Sequence, residues 1–156
     1  MTDTALPLTI EALEAELAPL VLPQFDETTA FRLGSILVGL ATSAGAPVVI
    51  SIRNAHRTFF HAALPGASAA NDLWARRKGN LALHHDRASM VVTLRMRAHG
   101  RTLAGEGLSE ADYAISGGAV PIRVAGAGTM AVCTVSGLPE TEDHALVVAG
   151  LQALLA

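Results

Sequence analysis

The sequence predicts an α+β fold, an α/β sandwich in which an antiparallel sheet carries helices on its faces. Apolar residues recur at helical spacing in Thr9–Leu17, Glu27–Ala44 and Pro139–Leu155. Two pairs of strand-like segments, Val48–Arg53 with Thr58–Leu64 and Val120–Val124 with Ala127–Ser136, are joined by short turns and read as hairpins. The order helix-helix-strand-strand-helix-helix-strand-strand-helix lacks the alternation of strand and crossover helix that builds a parallel sheet.

In the first helix, Ile10, Leu13 and Leu17 share one face, and Pro19 and Pro23 break the helical pattern after it. Residues 1–19 are therefore an N-terminal helical extension of a single domain spanning 1–156. Asp26 is placed to cap the second helix, which Gly45 can end. Val48, Ile50 and Ile52 point to one side of their strand. Asn71 or Ser68 caps a third helix reaching about His85. Ser89–Ala98 is ambiguous: Val91, Val92 and Thr93 suit a strand, while the length suits a short helix. His99–Ser116 is loop-like, with Gly100, Gly105 and Gly107.

Hydrophobic residues make up 51% of the chain but aromatics only 4%, so the core must come from Ala, Val, Leu and Ile. The net charge of −3 and the lack of a basic block speak against nucleic acid. The single Cys133 excludes an intramolecular disulfide and fits a reducing compartment. Acids stand where a signal peptide carries basic residues, and no apolar run approaches the ~20 residues of a membrane helix. The expectation is a cytoplasmic protein with no membrane partner.

The last third carries the most specific pattern. Gly117-Gly118-Ala119-Val120-Pro121-Ile122-Arg123 is followed by Gly126-Ala127-Gly128, Val135-Ser136-Gly137-Leu138-Pro139-Glu140 and Asp143-His144. This is a strand-turn-strand-helix unit. The paired glycines precede a strand and do not open a helix, which argues against a nucleotide fingerprint. These words in this order resemble the C-terminal half of the haem-degrading domain family, GlcG/HbpS-like. Asn71–Lys78 resembles the family's central helix. Leu22-Pro23-Gln24-Phe25 and Phe60–Gly66 resemble its small stand-alone branch. The resemblance covers about residues 20–156. It implies a profilin-like sheet sandwich, a helix at Ser89–Ala98, homo-oligomers and, in some relatives, haem. It supplies no haem-ligand motif that transfers by position.

Seven residues are the site candidates: Arg53, His61, Lys78, Gly117, Gly118, Arg123 and His144. His61 can ligate haem iron or act as a base. Trp74 and Lys78 share a helix face and can floor a pocket for an anion, although a snorkelling lysine has the same spacing. Arg53, at a strand end, can present a fork to a carboxylate or phosphate. His144 lies where a cation opposes the helix dipole, so it stays neutral, bonded to the Gly117-Gly118 loop or lining a site. His84 and His85 are neighbours on a helix and point about 100° apart, so they do not chelate one metal ion. No nucleophile, base and orienter stand together, and no reaction is assigned. The leading reading is a homo-oligomer that binds haem or a small anionic ligand. The alternatives are an assembly protein and a haem-modifying enzyme using His61.

Overall fold

The computed structural model describes residues 8–156, which leaves the first seven residues of the expected N-terminal extension outside the description. Helix α1, Ile10–Leu17, is capped by the Thr9 side chain, which accepts from the Ala12 amide at 3.1 Å. Helix α2, Glu27–Ser43, starts at the expected cap: Asp26 accepts from the Thr29 amide at 2.8 Å, and that bond holds its carboxyl below the usual range. Strands β2 (Val49–Arg53) and β3 (Thr58–Ala63) form the first hairpin. Helix α3, Ala69–His85, begins two residues earlier than Asn71. Ser68 is its cap, and Asn71 reaches back to accept from the Ser68 amide at 2.9 Å.

Ser89–Ala98 is a helix, α4. Its strand-like composition reflects burial on two sides. Met90 and Val91 join the main core, while Val92 and Met96 pack with Leu81 and Leu103 in a second cluster. A helix covered on two sides shows no clean apolar stripe. Strands β4 (Ala119–Val124) and β5 (Gly128–Ser136) form the second hairpin, and α5 (Glu140–Leu155) closes the chain.

With a two-residue strand β1 (Val21–Leu22) at one edge, the five-stranded sheet has the order β1-β4-β5-β2-β3. This extra strand pairs parallel with Arg123–Val124. The sheet is therefore mixed: antiparallel except for this edge. Two residues between prolines offer no alternation from which β1 could be read.

One sheet face carries Val48, Ile50, Ile52, Ile122, Cys133 and Val135, and it packs against Leu33 and Leu37 of α2 and Val147 and Leu151 of α5. The helices approach closely because residue 150 is glycine: a Cβ there would lie 2.5 Å from Leu37 Cδ2. The opposite face carries Ser51, His61, Val132, Thr134 and Ala119, in register across four strands. Helix α3 lies over that face, where its Ala82 meets Ala119 and Val132. Cys133 is fully buried, and burial pushes its thiol far above the ordinary value, so it acts as a small hydrophobe.

Candidate functional site

The seven candidate residues fall in four places. Two lie on the side of α3 that faces the first hairpin. Arg53 directs one guanidinium nitrogen to the Arg76 carbonyl at 2.9 Å and to Asn80 Oδ1 at 2.8 Å. Burial, with a smaller contribution from Arg76, lowers its pKa. Arg53 thus ties β2 to α3 and does not present the open fork expected of it. His61 stands exposed on β3, with Nε2 2.7 Å from Asp72 Oδ1. The sequence gives no sign of this carboxylate partner, because α3 and β3 meet only in the fold.

Around the start of α5 lie Lys78, Gly117 and Gly118. Lys78 is 2% exposed and does not snorkel. Its ammonium donates to the Val135 carbonyl at 2.7 Å and to Asp143 Oδ2 at 3.0 Å. Burial draws the lysine below its ordinary pKa and pushes Asp143 above its own, and the opposite charge of each partner works against both shifts. The other Asp143 oxygen accepts from the Leu138 amide at 3.0 Å. This acid does more than complement a helix dipole: it joins α3, β5 and the turn before α5. Gly118, at φ 126°, leaves room for the pair, since a Cβ would lie 2.5 Å from Lys78 Nζ. The Gly117 amide donates to Glu140 Oε2 at 3.2 Å. Burial opposes ionisation of Glu140, but bonds from Arg97 and Gly117 outweigh it and hold its pKa down. Beside these residues is a polar cleft of about 250 Å³ lined by Asn71, Trp74, Lys78, Ser116 and Ser136. Trp74 and Lys78 do share one cleft, and the Arg77 guanidinium stacks 4.8 Å from the Trp74 ring centre.

His144 is 2% exposed beneath α1, and neither ring nitrogen has a hydrogen-bond partner. Glu16 of α1 approaches to 3.8 Å. The expected bond to the glycine loop is absent, since Gly117 serves Glu140 instead. Burial lowers the His144 pKa to about 4, so the ring is neutral at pH 7. Arg123 lies at the far end of β4, where it donates to the Asp86 carbonyl at 2.6 Å.

A larger cleft of about 490 Å³ opens between α1, the end of α3, α4 and the 3-10 turn Ala104–Glu106. It gathers His85 and His99, three arginines (Arg87, Arg95 and Arg101), three glutamates (Glu11, Glu14 and Glu106), and the apolar Ile10, Val92 and Met96. His85 Nε2 faces Glu106 Oε2 at 3.0 Å, in ion-pair range but misaligned for a hydrogen bond. This cleft was not legible in the sequence, because its walls come from four separate segments. Among the described residues, no three His, Cys, Asp or Glu side chains converge as a metal site. No described helix is long and apolar enough to cross a membrane.

A family model described as haem degrading protein HbpS-like matches residues 25–152. The chain belongs to this HbpS-like family. A UPF0303 protein of Streptomyces avermitilis is 44% identical over 153 residues, covering 97% of this chain and 94% of the relative. One from Burkholderia thailandensis is 47% identical over 149 residues, covering 95% and 90%. Among solved structures, Ybr137w protein superposes with a TM-score of 0.85 at 27% identity, covering 94% of this chain and 88% of that one. A PduOC:heme complex superposes with a TM-score of 0.68 at 22% identity, covering 85% and 95%, and supports the fold alone. The HbpS-like match begins after α1 and β1, so the cleft beside His85 has one wall outside the matched region.

Proposed function

We propose that this chain is a homo-oligomeric binding protein for a haem-type tetrapyrrole, held in the 490 Å³ cleft beside His85 and His99. The observation that carries this reading is the composition of that single cleft. Haem presents an iron that takes imidazole, an apolar macrocycle and two carboxylates. The cleft supplies two imidazoles, the apolar Ile10, Val92 and Met96, and the guanidiniums of Arg95, which also holds Glu14, and Arg101, a side chain suited to carboxylates. Glu106 stands 3.0 Å from one ring nitrogen of His85, close enough to orient this imidazole if the ring turns to donate to it. The volume lies within the ~300–1,000 Å³ of ligand pockets, whereas the Trp74 cleft falls below it. The match to a family described as haem degrading supports the ligand class. The cytoplasm is the expected compartment.

His61 with Asp72 offers a second imidazole of the same kind on an open surface. One experiment separates the two. Haemin is titrated into the wild type and into His85→Ala, His99→Ala and His61→Ala, with the Soret band as the readout. Loss of the saturable shift in His85→Ala or His99→Ala supports the cleft, and loss only in His61→Ala moves the ligand to β3. A shift unchanged in all three defeats ligation at either place.

A further inference from the structure

A separate cavity of about 250 Å³ lies between α1, the corner joining α3 to α4, and β4. Its lining is mixed: Leu17, Leu20, Val91, Val120 and Pro121 supply the apolar part. Its charged lining residues are Glu14, Arg87 and Arg123. The corner is set by Asp86, which ends α3 in the left-handed region at φ 52°. The Thr129 hydroxyl bonds to the Asp86 carboxylate, and Arg123 donates to its carbonyl. The next two residues, Arg87 and Ala88, thereby reach the cavity.

The charges around it do not balance. Glu14 Oε1 receives Arg95 at 2.6 Å and Arg87 at 3.3 Å, so one carboxylate is shared by two guanidiniums. Arg123 meets the Asp86 carboxylate only at 3.7 Å. Three arginines thus face two acids. A guanidinium has five N–H donors in a fixed fork, so Arg87 and Arg123 retain unused donors. A half-open cavity with a partly apolar wall and a cationic excess at its rim matches a molecule with one carboxylate and a short hydrocarbon body. A cavity of ~150 Å³ lined by apolar side chains holds benzene, so 250 Å³ has room for a ring or a chain of roughly six to eight carbons.

We propose that this cavity is a second site, which takes an amphiphilic monocarboxylate with its hydrocarbon part against Leu20, Val91 and Val120 and its carboxylate on Arg87 and Arg123. Leu17, Ala18 and Leu20 precede the HbpS-like match, so part of this site's lining lies outside the matched region. It lies across the Glu14–Arg87 pair from the cleft assigned to haem.

The test is titration calorimetry of the full chain with octanoate below its micelle concentration, with octan-1-ol and with inorganic phosphate. Octanoate is expected to bind saturably, one per chain. The alcohol, which lacks the charge, and phosphate, which lacks the chain, should each bind at least about tenfold more weakly. Arg123→Gln should weaken octanoate about tenfold or more and leave the alcohol unchanged. Ala18→Trp, at an exposed lining position, should close the cavity to both. Melting curves verify the fold of each variant. Absence of saturable binding, octanoate affinity that survives Ala18→Trp, or equal affinity for acid and alcohol overturns the proposal. Neither variant changes a cleft residue assigned to haem, so the Soret titration stands or falls separately.

Discussion

The Lys78 ammonium and the Asp143 carboxylate meet at 3.0 Å with both side chains almost wholly buried. They come from α3 and α5, 65 residues apart, and close around the Val135 carbonyl of β5. Each charge is tolerated in the interior because the other is present. Removing one partner leaves the other buried and uncompensated. Lys78→Met is expected to cost about 3–5 kcal/mol in urea unfolding. The double variant Lys78→Met with Asp143→Asn should cost less than the sum of the single changes. A loss below about 1 kcal/mol in Lys78→Met would show that water reaches Asp143.

Gly118 belongs to the same knot. Its φ of 126° disfavours any side chain, and a Cβ would also lie 2.6 Å from the Val135 carbonyl oxygen. Gly126 has a positive φ of 75° but open space around it. Gly118→Ala should therefore destabilise by at least about 2 kcal/mol, and Gly126→Ala by about 1 kcal/mol. Equal melting temperatures for the two variants would remove the close packing as the reason for glycine at 118.

The alternating hairpins, the Asp26 cap and the Leu33, Leu37, Val147 and Leu151 stripes could be read from the chain because each obeys a local period. The site could not be read so fully. The Trp74–Lys78 spacing on one helix was legible, and the two do line one cleft. The partners were not: Asp143 for Lys78, Asp72 for His61 and Asn80 for Arg53 arrive from distant segments. Arg53 and Lys78 read as free cations in the sequence, whereas the fold satisfies both internally. The cleft at His85 has no signature because α1, α3, α4 and a loop each supply only a few residues.

His144 makes stability depend on pH. Its folded pKa of about 4 lies below the ordinary 6.5, because burial disfavours the cation. Between these values the unfolded chain binds more protons than the folded one. The contribution is complete above about pH 6.5 and is lost as pH falls toward about 4, with a ceiling of about 3 kcal/mol. His144→Leu should flatten this part of a stability–pH profile measured by urea unfolding. An identical slope in wild type and variant between pH 6.5 and 4 would assign the loss to other groups.

The exposed apolar side chains predict assembly. Helix α3 turns Leu73, 60% exposed, and Trp74, 41% exposed, to solvent, and α2 does the same with Phe31 at 66%. Phe31 and Trp74 are large apolar side chains in a chain with only 4% aromatics. On α2 the sheet and α5 bury Leu33 and Leu37 fully, Leu40 stays 36% exposed at the edge of that side, and Phe31 stands on the other side of the helix. Exposed apolar clusters on a folded chain mark interfaces, and closed symmetric assemblies are the usual way to cover them. Light scattering at micromolar concentration should report a mass well above the 16.1 kDa of one chain. Leu73→Asp and Phe31→Asp place a charge on each patch without disturbing the buried side of either helix. At least one of them should lower the mass while leaving the melting curve of the released subunit cooperative. A wild type that scatters as a monomer would show that both patches stay open to water, and a wild-type mass unchanged in both variants would place the interface on another surface.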